Sequence, residues 1–488
     1  MSDTEHLKGK VFSGFQWNVG GQGVLYVITL AGTIFMSRLL SPLEYGLFGM
    51  LTVFSNLASV VVGMGLAQAV VQNQSLLEKD LSSIFWINFI LGFSVNILFF
   101  FSAPAIASFY GQRDLIEVTR VMSFLFLFYG CSAVPLGLLS KRLDFKELVI
   151  SQLFAALISY GTGIVLAYSG YGVWSLVAQS IVNHFTYLVV NLYFSKWWPS
   201  FYFRKESIAK IGKFSRNFLP SQILDFFAMN LDVLLIGKYT GKTDLGLYGR
   251  SQALVQLPVN SIGLIFNKTF FSAFALLQNK HDVLSNNYLR AVKFLSISLM
   301  PILILTAIGA DQIILFLFGK QWVSMSSLVS WLAISSAISA YNSFNDTVMT
   351  SQGRTDLLLR INVFEKIVLM VCVLVGMRYG VIGVALAKII SNLCTFIPKL
   401  LFLSKVIKIS IKEWFFAQRN IFMAMVVCGA VAYIVKNTSS LLIVDIMLMT
   451  GAGLGSGLFF LILVREEAIL DLMNIIKKAI LFKKPTKS

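Results

Sequence analysis

Polar side chains recur at helical spacing inside long apolar runs, and these are the residues with chemistry to offer. Asn18, Gln22, Tyr26, Thr29 and Thr33 follow at i, i+4, i+8, i+11 and i+15, on one face of a helix. Asn217, Ser221, Asp225 and Asp232 form a second stripe and Gln252, Gln256, Asn260 and Asn267 a third. Thr52, Asn56, Ser59 and Gly63 form a fourth, and Ser335, Ser339, Asn342 and Asp346 a fifth. Two readings stay open. Such groups hydrogen-bond between packed helices, where single Ser and Thr residues are common, or they wall a water-filled cavity. Their repetition, with full carboxylates included, favours the cavity.

Ionisable residues within the apolar runs are unequally shared. The second half of the chain holds Asp225, Asp232, Lys268, Asp346, Glu365, Lys366 and Lys388, the first little beyond His184 and the helix-end Arg38. A buried charge is costly unless paired or hydrated, so these groups either pair with one another or face a cleft to hold a substrate or a coupling ion. Asp225, Asp232 and Glu365 are the ion-coupling candidates. Asn18, Gln22, Gln252, Gln256 and Asn260, with Lys268, Asp346 and Lys388, are the candidates for a substrate cavity. Lone His184 reads as a hydrogen-bonded packing residue.

Catalytic and cofactor chemistry finds no footing. There is no GxxxxGK[ST] phosphate loop, and His6, His184 and His281 are too scattered for a metal site. Cys131, Cys372, Cys394 and Cys428 lie in apolar stretches without CxxC spacing and read as small packing residues. Gly451-Ala-Gly453-Leu-Gly455-Ser-Gly457 falls in an apolar span and reads as a helix-packing face. No catalytic residue, cofactor, metal or nucleic acid is expected.

The elements that must position the stripes are transmembrane helices. Of 488 residues, 57% are hydrophobic and 13% charged, which rules out a soluble globular protein. Apolar runs long enough to span a bilayer fall at 11–37, 47–71, 83–108, 118–139, 149–169, 172–195, 213–237, 247–276, 293–318, 326–349, 359–378, 381–404, 420–436 and 441–464. The first shows no cleavage site and is expected to be retained. The net charge of +17 is chiefly a positive-inside bias: of the Lys and Arg outside the spans' interiors, Lys399 counted among them, about 28 fall on the side of the termini and about nine opposite. Both termini are therefore expected in the cytoplasm.

The chain also repeats itself. Arg38-Leu-Leu-Ser-Pro-Leu-Glu-Tyr-Gly46-Leu-Phe-Gly49 aligns with Lys238-Tyr-Thr-Gly-Lys-Thr-Asp-Leu-Gly246-Leu-Tyr-Gly249, Arg142-Leu-Asp144 with Arg354-Thr-Asp356, and Tyr171-Gly-Val173 with Tyr379-Gly-Val381. Matches in the same order argue for two halves of about six helices, related as parallel repeats around a cleft. The expected division is an N-lobe at 1–208, a C-lobe at 209–410, an appended helix pair at 411–466 and a basic tail at 467–488, with a short interfacial helix after Arg465.

Several motifs resemble those of a known family. They are Arg38 to Met50, Asp80-Leu-Ser-Ser-Ile-Phe-Trp-Ile-Asn88, Lys141-Arg-Leu-Asp-Phe-Lys146, Tyr171-Gly-Val-Trp-Ser-Leu-Val-Ala-Gln179, Asn230-Leu-Asp-Val-Leu-Leu-Ile-Gly-Lys238, Leu317-Phe-Gly-Lys-Gln-Trp322 and Gln352-Gly-Arg-Thr-Asp356. Together they resemble the Wzx-type polysaccharide flippases of the MOP superfamily, in the branch exporting lipopolysaccharide and exopolysaccharide repeat units. The resemblance implies an all-α fold of fourteen helices, two six-helix lobes and two extra C-terminal helices. It implies flipping of an undecaprenyl-diphosphate-linked oligosaccharide from the cytoplasmic to the periplasmic leaflet of the bacterial inner membrane, with membrane lipids, a polysaccharide polymerase and a chain-length regulator as partners. Arg38, Lys238 and Arg250, near outward helix ends, would then draw the diphosphate. Relatives that flip a cell-wall precursor use arginines in the first lobe's cavity, and this chain places few cations there. A multidrug antiporter of the same superfamily and a membrane polysaccharide polymerase are the alternative readings.

Overall fold

The computed structural model describes residues 2–63, 67, 70–71, 76–203, 222, 226–227, 229–278, 281–439, 441–466 and 469, without the side chains of 2–16, 18, 19, 264 and 281. Among them every regular element is a helix. Lipid offers no partner for a backbone amide, so an apolar run must satisfy its own hydrogen bonds, and a helix does so. In chain order the helices are α1 (Ser2–Leu39), α2 (Pro42–Gly63), α3 (Glu78–Tyr110), α4 (Leu115–Met122), α5 (Leu125–Lys141), α6 (Phe145–Tyr168) and α7 (Val173–Ser195). Residues 229–239 are helical. Then follow α8 (Lys242–Ala275), α9 (His281–Ile308), α10 (Ala310–Leu317), α11 (Ser326–Ser351), α12 (Thr355–Gly376), α13 (Gly380–Ile407), α14 (Ile411–Val435) and α15 (Leu442–Leu463).

Eleven described segments are long and apolar enough to cross a membrane, and one of them, Thr355–Ile407, contains both α12 and α13. The protein is a multi-pass membrane protein. The expected span 213–237 falls mostly outside the described residues, as do Asp225 and, but for Ile469, the interfacial helix of the tail. Two expected spans are interrupted. The fourth breaks between α4 and α5, where the Ser123 hydroxyl donates back to the Arg120 carbonyl at 2.6 Å and accepts from Asn96 Nδ2 at 3.0 Å. The ninth breaks at Gly309, between α9 and α10.

The chain divides into two compact units, Met1–Gly246 and Leu247–Ser488. In the first, α6 packs on α1 and α7, and α5 on α3 and α7. Its most constrained contact joins two segments that match in sequence. A Cβ on Gly46 would lie 1.6 Å from the Lys242 carbonyl oxygen, and one on Gly246 would lie 1.8 Å from that of Pro42. Any side chain at either glycine would thus collide with backbone, so the first turns of α2 and α8 approach this closely only because both residues are Gly.

In the second unit α13 packs on α11 and α12, and α14 lies between α9 and α15. The two last helices are tied down by polar contacts. Asp445 accepts from the backbone N–H groups of Asn437 and Ser439 at 2.8 and 3.1 Å and from Gln312. Glu466 accepts from Asn420 at 2.9 Å and from Lys293. Buried Trp414 donates to the Tyr288 hydroxyl at 3.1 Å, which itself donates to Asn345 at 2.7 Å.

Candidate functional site

The first unit holds an open cavity of about 900 Å³. It opens where the helices carry small residues, Gly63 and Ala67 on one wall and Ala133, Ala155 and Ala156 on the others. Its polar surface comes from Thr29 of α1, Tyr129 and Ser132 of α5, and Gln152 and Tyr160 of α6. Helix α7 adds Gln179, Ser180, Asn183, His184 and Tyr187, and Gln222 completes the wall. Among the described lining residues none is Asp, Glu, Lys or Arg.

The polar groups form a partly satisfied network. Gln22 Nε2 donates to Gln152 Oε1 at 3.0 Å, the Thr33 and Tyr160 hydroxyls lie 3.2 Å apart, and Asn183 Nδ2 donates to the Ser159 hydroxyl at 3.2 Å. The Tyr129 hydroxyl lies 2.7 Å from His184 Nε2, while His184 Nδ1 lies 2.7 Å from the Ser180 carbonyl oxygen. Amides and aromatic hydroxyls without a charge suit a neutral, polyhydroxylated ligand, whose hydroxyls both donate and accept. A doubly ionised phosphate would find no counter-charge on these walls.

The first stripe thus meets the cavity through Thr29 on its wall and through Gln22 and Thr33 bonded to wall residues; the side chain of Asn18 lies outside the described ones. The lining residues of α5, α6 and α7 were not read from sequence as a polar stripe, although Gln179, Asn183 and Tyr187 stand at i, i+4 and i+8. The same period that exposed the α1 stripe exposes this one. His184, read from sequence as packing, has both nitrogens hydrogen-bonded and also lines the cavity.

The second unit treats its polar residues differently. The fifth stripe is zipped to α13: Asn392 Nδ2 donates to the Ser335 hydroxyl at 3.0 Å, and Asn342 Nδ2 reaches the Asn392 carbonyl and the Thr395 hydroxyl at 3.3 and 3.4 Å. Below it Lys399 Nζ sits 2.9 Å from Asp346 Oδ2 and 2.6 Å from Glu365 Oε2. The Lys399 side chain is 1% exposed. Sequence reading had counted Lys399 among the cytoplasmic cations; it lies instead inside α13, because two carboxylates on neighbouring helices offset its charge. Asp346 and Glu365, assigned to cavity and ion coupling, are therefore brought together on one lysine.

The remaining candidates stand apart. Lys238 in the first unit donates to the Phe109 carbonyl, with Nζ 4.7 Å from that ring's centre. Arg38 is exposed, and Asp232 is buried with a carboxylate oxygen 2.9 Å from the Val233 backbone nitrogen. On α8, Arg250, Gln252 and Gln256 are half-buried and Asn260 and Lys268 exposed. Lys388 lies over the Tyr248 ring at 5.3 Å.

Known proteins of the same build match this one. The chain is 24% identical over 350 residues, 71% of this chain and 72% of the relative, to the teichuronic acid biosynthesis protein TuaB of Bacillus subtilis. It is 21% identical over 387 residues, 78% of each chain, to the lipopolysaccharide biosynthesis protein WzxC of Escherichia coli. Its fold is that of the lipid II flippase MurJ in an inward closed conformation, with a TM-score of 0.74 at 15% identity, over 93% of this chain and 99% of that one. The family model described as polysaccharide biosynthesis protein matches residues 35–327. That match spans more than half of the chain, which belongs to the polysaccharide biosynthesis protein family.

Proposed function

We propose that this protein flips a lipid-linked oligosaccharide repeat unit across the bacterial inner membrane, from the cytoplasmic to the periplasmic leaflet, by alternating access. The observation that carries the reading is the cavity of the first unit, whose described lining holds no Asp, Glu, Lys or Arg but sets Gln, Asn, Tyr, His and Ser among apolar side chains, within helices long and apolar enough to cross a membrane. A glycan must cross the membrane sheltered from hydrocarbon, and such a wall replaces the water its hydroxyls lose. The names of TuaB and WzxC, both biosynthesis proteins of surface polysaccharides, and of the flippase MurJ support it. The protein acts as a transporter rather than an enzyme and hands its cargo to enzymes that polymerise it. A multidrug antiporter would need an acidic cavity for cationic drugs, and no carboxylate lines this one among the described residues.

The carrier is read as undecaprenyl diphosphate, and Arg38, Lys238 and Arg250 as groups that draw its charge. Movement of a charged headgroup needs an energy source, and the membrane potential offers about 2.3 kcal/mol per charge per 100 mV. Asp225, Asp232 and Glu365 are the coupling candidates, and Glu365 shares a lysine with Asp346, with which an incoming ion would have to compete.

Reconstitution in proteoliposomes tests the reading. Labelled lipid-linked oligosaccharide is expected to become accessible on the opposite leaflet only where the protein is present, while ethidium efflux stays at background. Drug efflux without oligosaccharide movement would replace the flippase by the antiporter. For orientation, Gly111→Cys and Gly241→Cys are expected to react with an impermeant reagent in intact cells and Lys205→Cys to be spared.

A further inference from the structure

We propose that Tyr129 is a specificity contact that accepts a hydrogen bond from an uncharged sugar hydroxyl, with His184 the positioning residue that fixes its polarity. The inference rests on the oligosaccharide reading of the same cavity and adds which ligand chemistry it admits. Its logic follows hydrogen atoms. His184 Nδ1 lies 2.7 Å from the Ser180 carbonyl oxygen, and a carbonyl can only accept, so Nδ1 carries the proton. Among the described residues no carboxylate lines the cavity to balance an imidazolium, so the ring is taken as neutral and Nε2 keeps a bare lone pair. Nε2 lies 2.7 Å from the Tyr129 hydroxyl, which must donate to it.

With its one proton committed to His184, the Tyr129 oxygen presents only lone pairs to the cavity. Whatever approaches must donate. Sugar hydroxyls do; the oxygens of an ionised diphosphate, or of the carboxylate of a uronate, carry no proton to give and meet lone pair against lone pair. The couple thus selects the neutral rings of a glycan and turns its anionic end away. The α7 helix supplies the half that fixes the polarity, because Ser180 and His184 are one turn apart and the histidine can reach its own helix's carbonyl, and α5 supplies Tyr129.

The test uses the full chain in nanodiscs with His6→Gln and His281→Gln, so that a single ¹⁵N-labelled imidazole reports. The unliganded spectrum is expected to show the Nδ1–H tautomer. Titration with methyl glycosides of glucose, galactose, mannose and N-acetylglucosamine is expected to shift the Nε2 resonance for at least one sugar, whereas methyl phosphate leaves it in place. Tyr129→Phe is expected to weaken that sugar about tenfold, the effect of one neutral hydrogen bond. In flipping assays His184→Gln, whose amide oxygen still accepts from Tyr129, is expected to recover more rate than His184→Leu at equal abundance. A response to methyl phosphate, silence toward all four sugars, an Nε2–H tautomer, or unchanged affinity in Tyr129→Phe overturns the proposal. Failure of the flippase reading is distinct: the wild type would then move no lipid-linked oligosaccharide although its histidine resonance still answers to sugar.

Discussion

The two units solve the burial of polar groups in opposite ways. The first distributes neutral amides and hydroxyls around an open space of about 900 Å³. The second closes its polar residues on themselves: Ser335, Asn342, Asn392 and Thr395 interlock, and Lys399 draws Asp346 and Glu365 together. The contrast teaches that a polar stripe is not a site by virtue of its composition. A stripe facing a gap can bind a ligand, and one facing its complement becomes a weld between helices.

The sharpest way to break the comparison is to unweld the second unit. Lys399→Met would leave two half-buried carboxylates without their counter-ion, and the expected loss, at the low end of that for a fully buried pair, is about 3 kcal/mol, read as a smaller monodisperse fraction after heating the purified protein. Adding Asp346→Asn and Glu365→Gln is expected to restore most of it. Wild-type heat resistance in Lys399→Met would show that the triad holds nothing together.

Next comes backbone contact in the first unit. Gly246→Ala places a methyl group 1.8 Å from a carbonyl oxygen and is expected to cost about 1–3 kcal/mol through forced displacement. Gly249→Ala, with nothing within 4 Å of the added atom, serves as its control. Equal melting of the two would refute the close crossing of α2 and α8.

A paired substitution then sharpens the difference between wall and weld. Gln179→Leu is expected to slow oligosaccharide flipping with membrane abundance near normal, because it faces the cavity. Asn342→Leu removes a buried donor from the Asn392 carbonyl and the Thr395 hydroxyl, at an expected cost of about 1–3 kcal/mol, and should lower abundance and flipping together. The smallest effect is expected at Asp356, whose bond to Arg354 at 3.3 Å lies in water, its side chain 60% exposed. Asp356→Asn should change neither abundance nor rate measurably, since exposed pairs contribute little.

Much of this was legible in the residues alone. Hydropathy marks the helices, because the requirement that a lipid-embedded backbone bond to itself leaves no other element to choose. The motifs from Arg38 to Asp356 pointed to a polysaccharide flippase. Gln22, Thr29 and Thr33, which share a helical period in sequence, stand on the cavity wall or bonded to it. What periodicity cannot carry is the identity of the opposing surface. Gln22 and Asn342 belong to equally regular stripes, yet Gln22 is bonded to a cavity wall and Asn342 is sealed against α13. Lys399 counts in sequence only as one more cation on the side of the termini, because its two carboxylate partners lie 34 and 53 residues away. His184 read as packing because its partner Tyr129 lies 55 residues away. Only the tertiary packing sets these pairs at bonding distance, and a buried polar group takes its role from the partner that replaces its lost water.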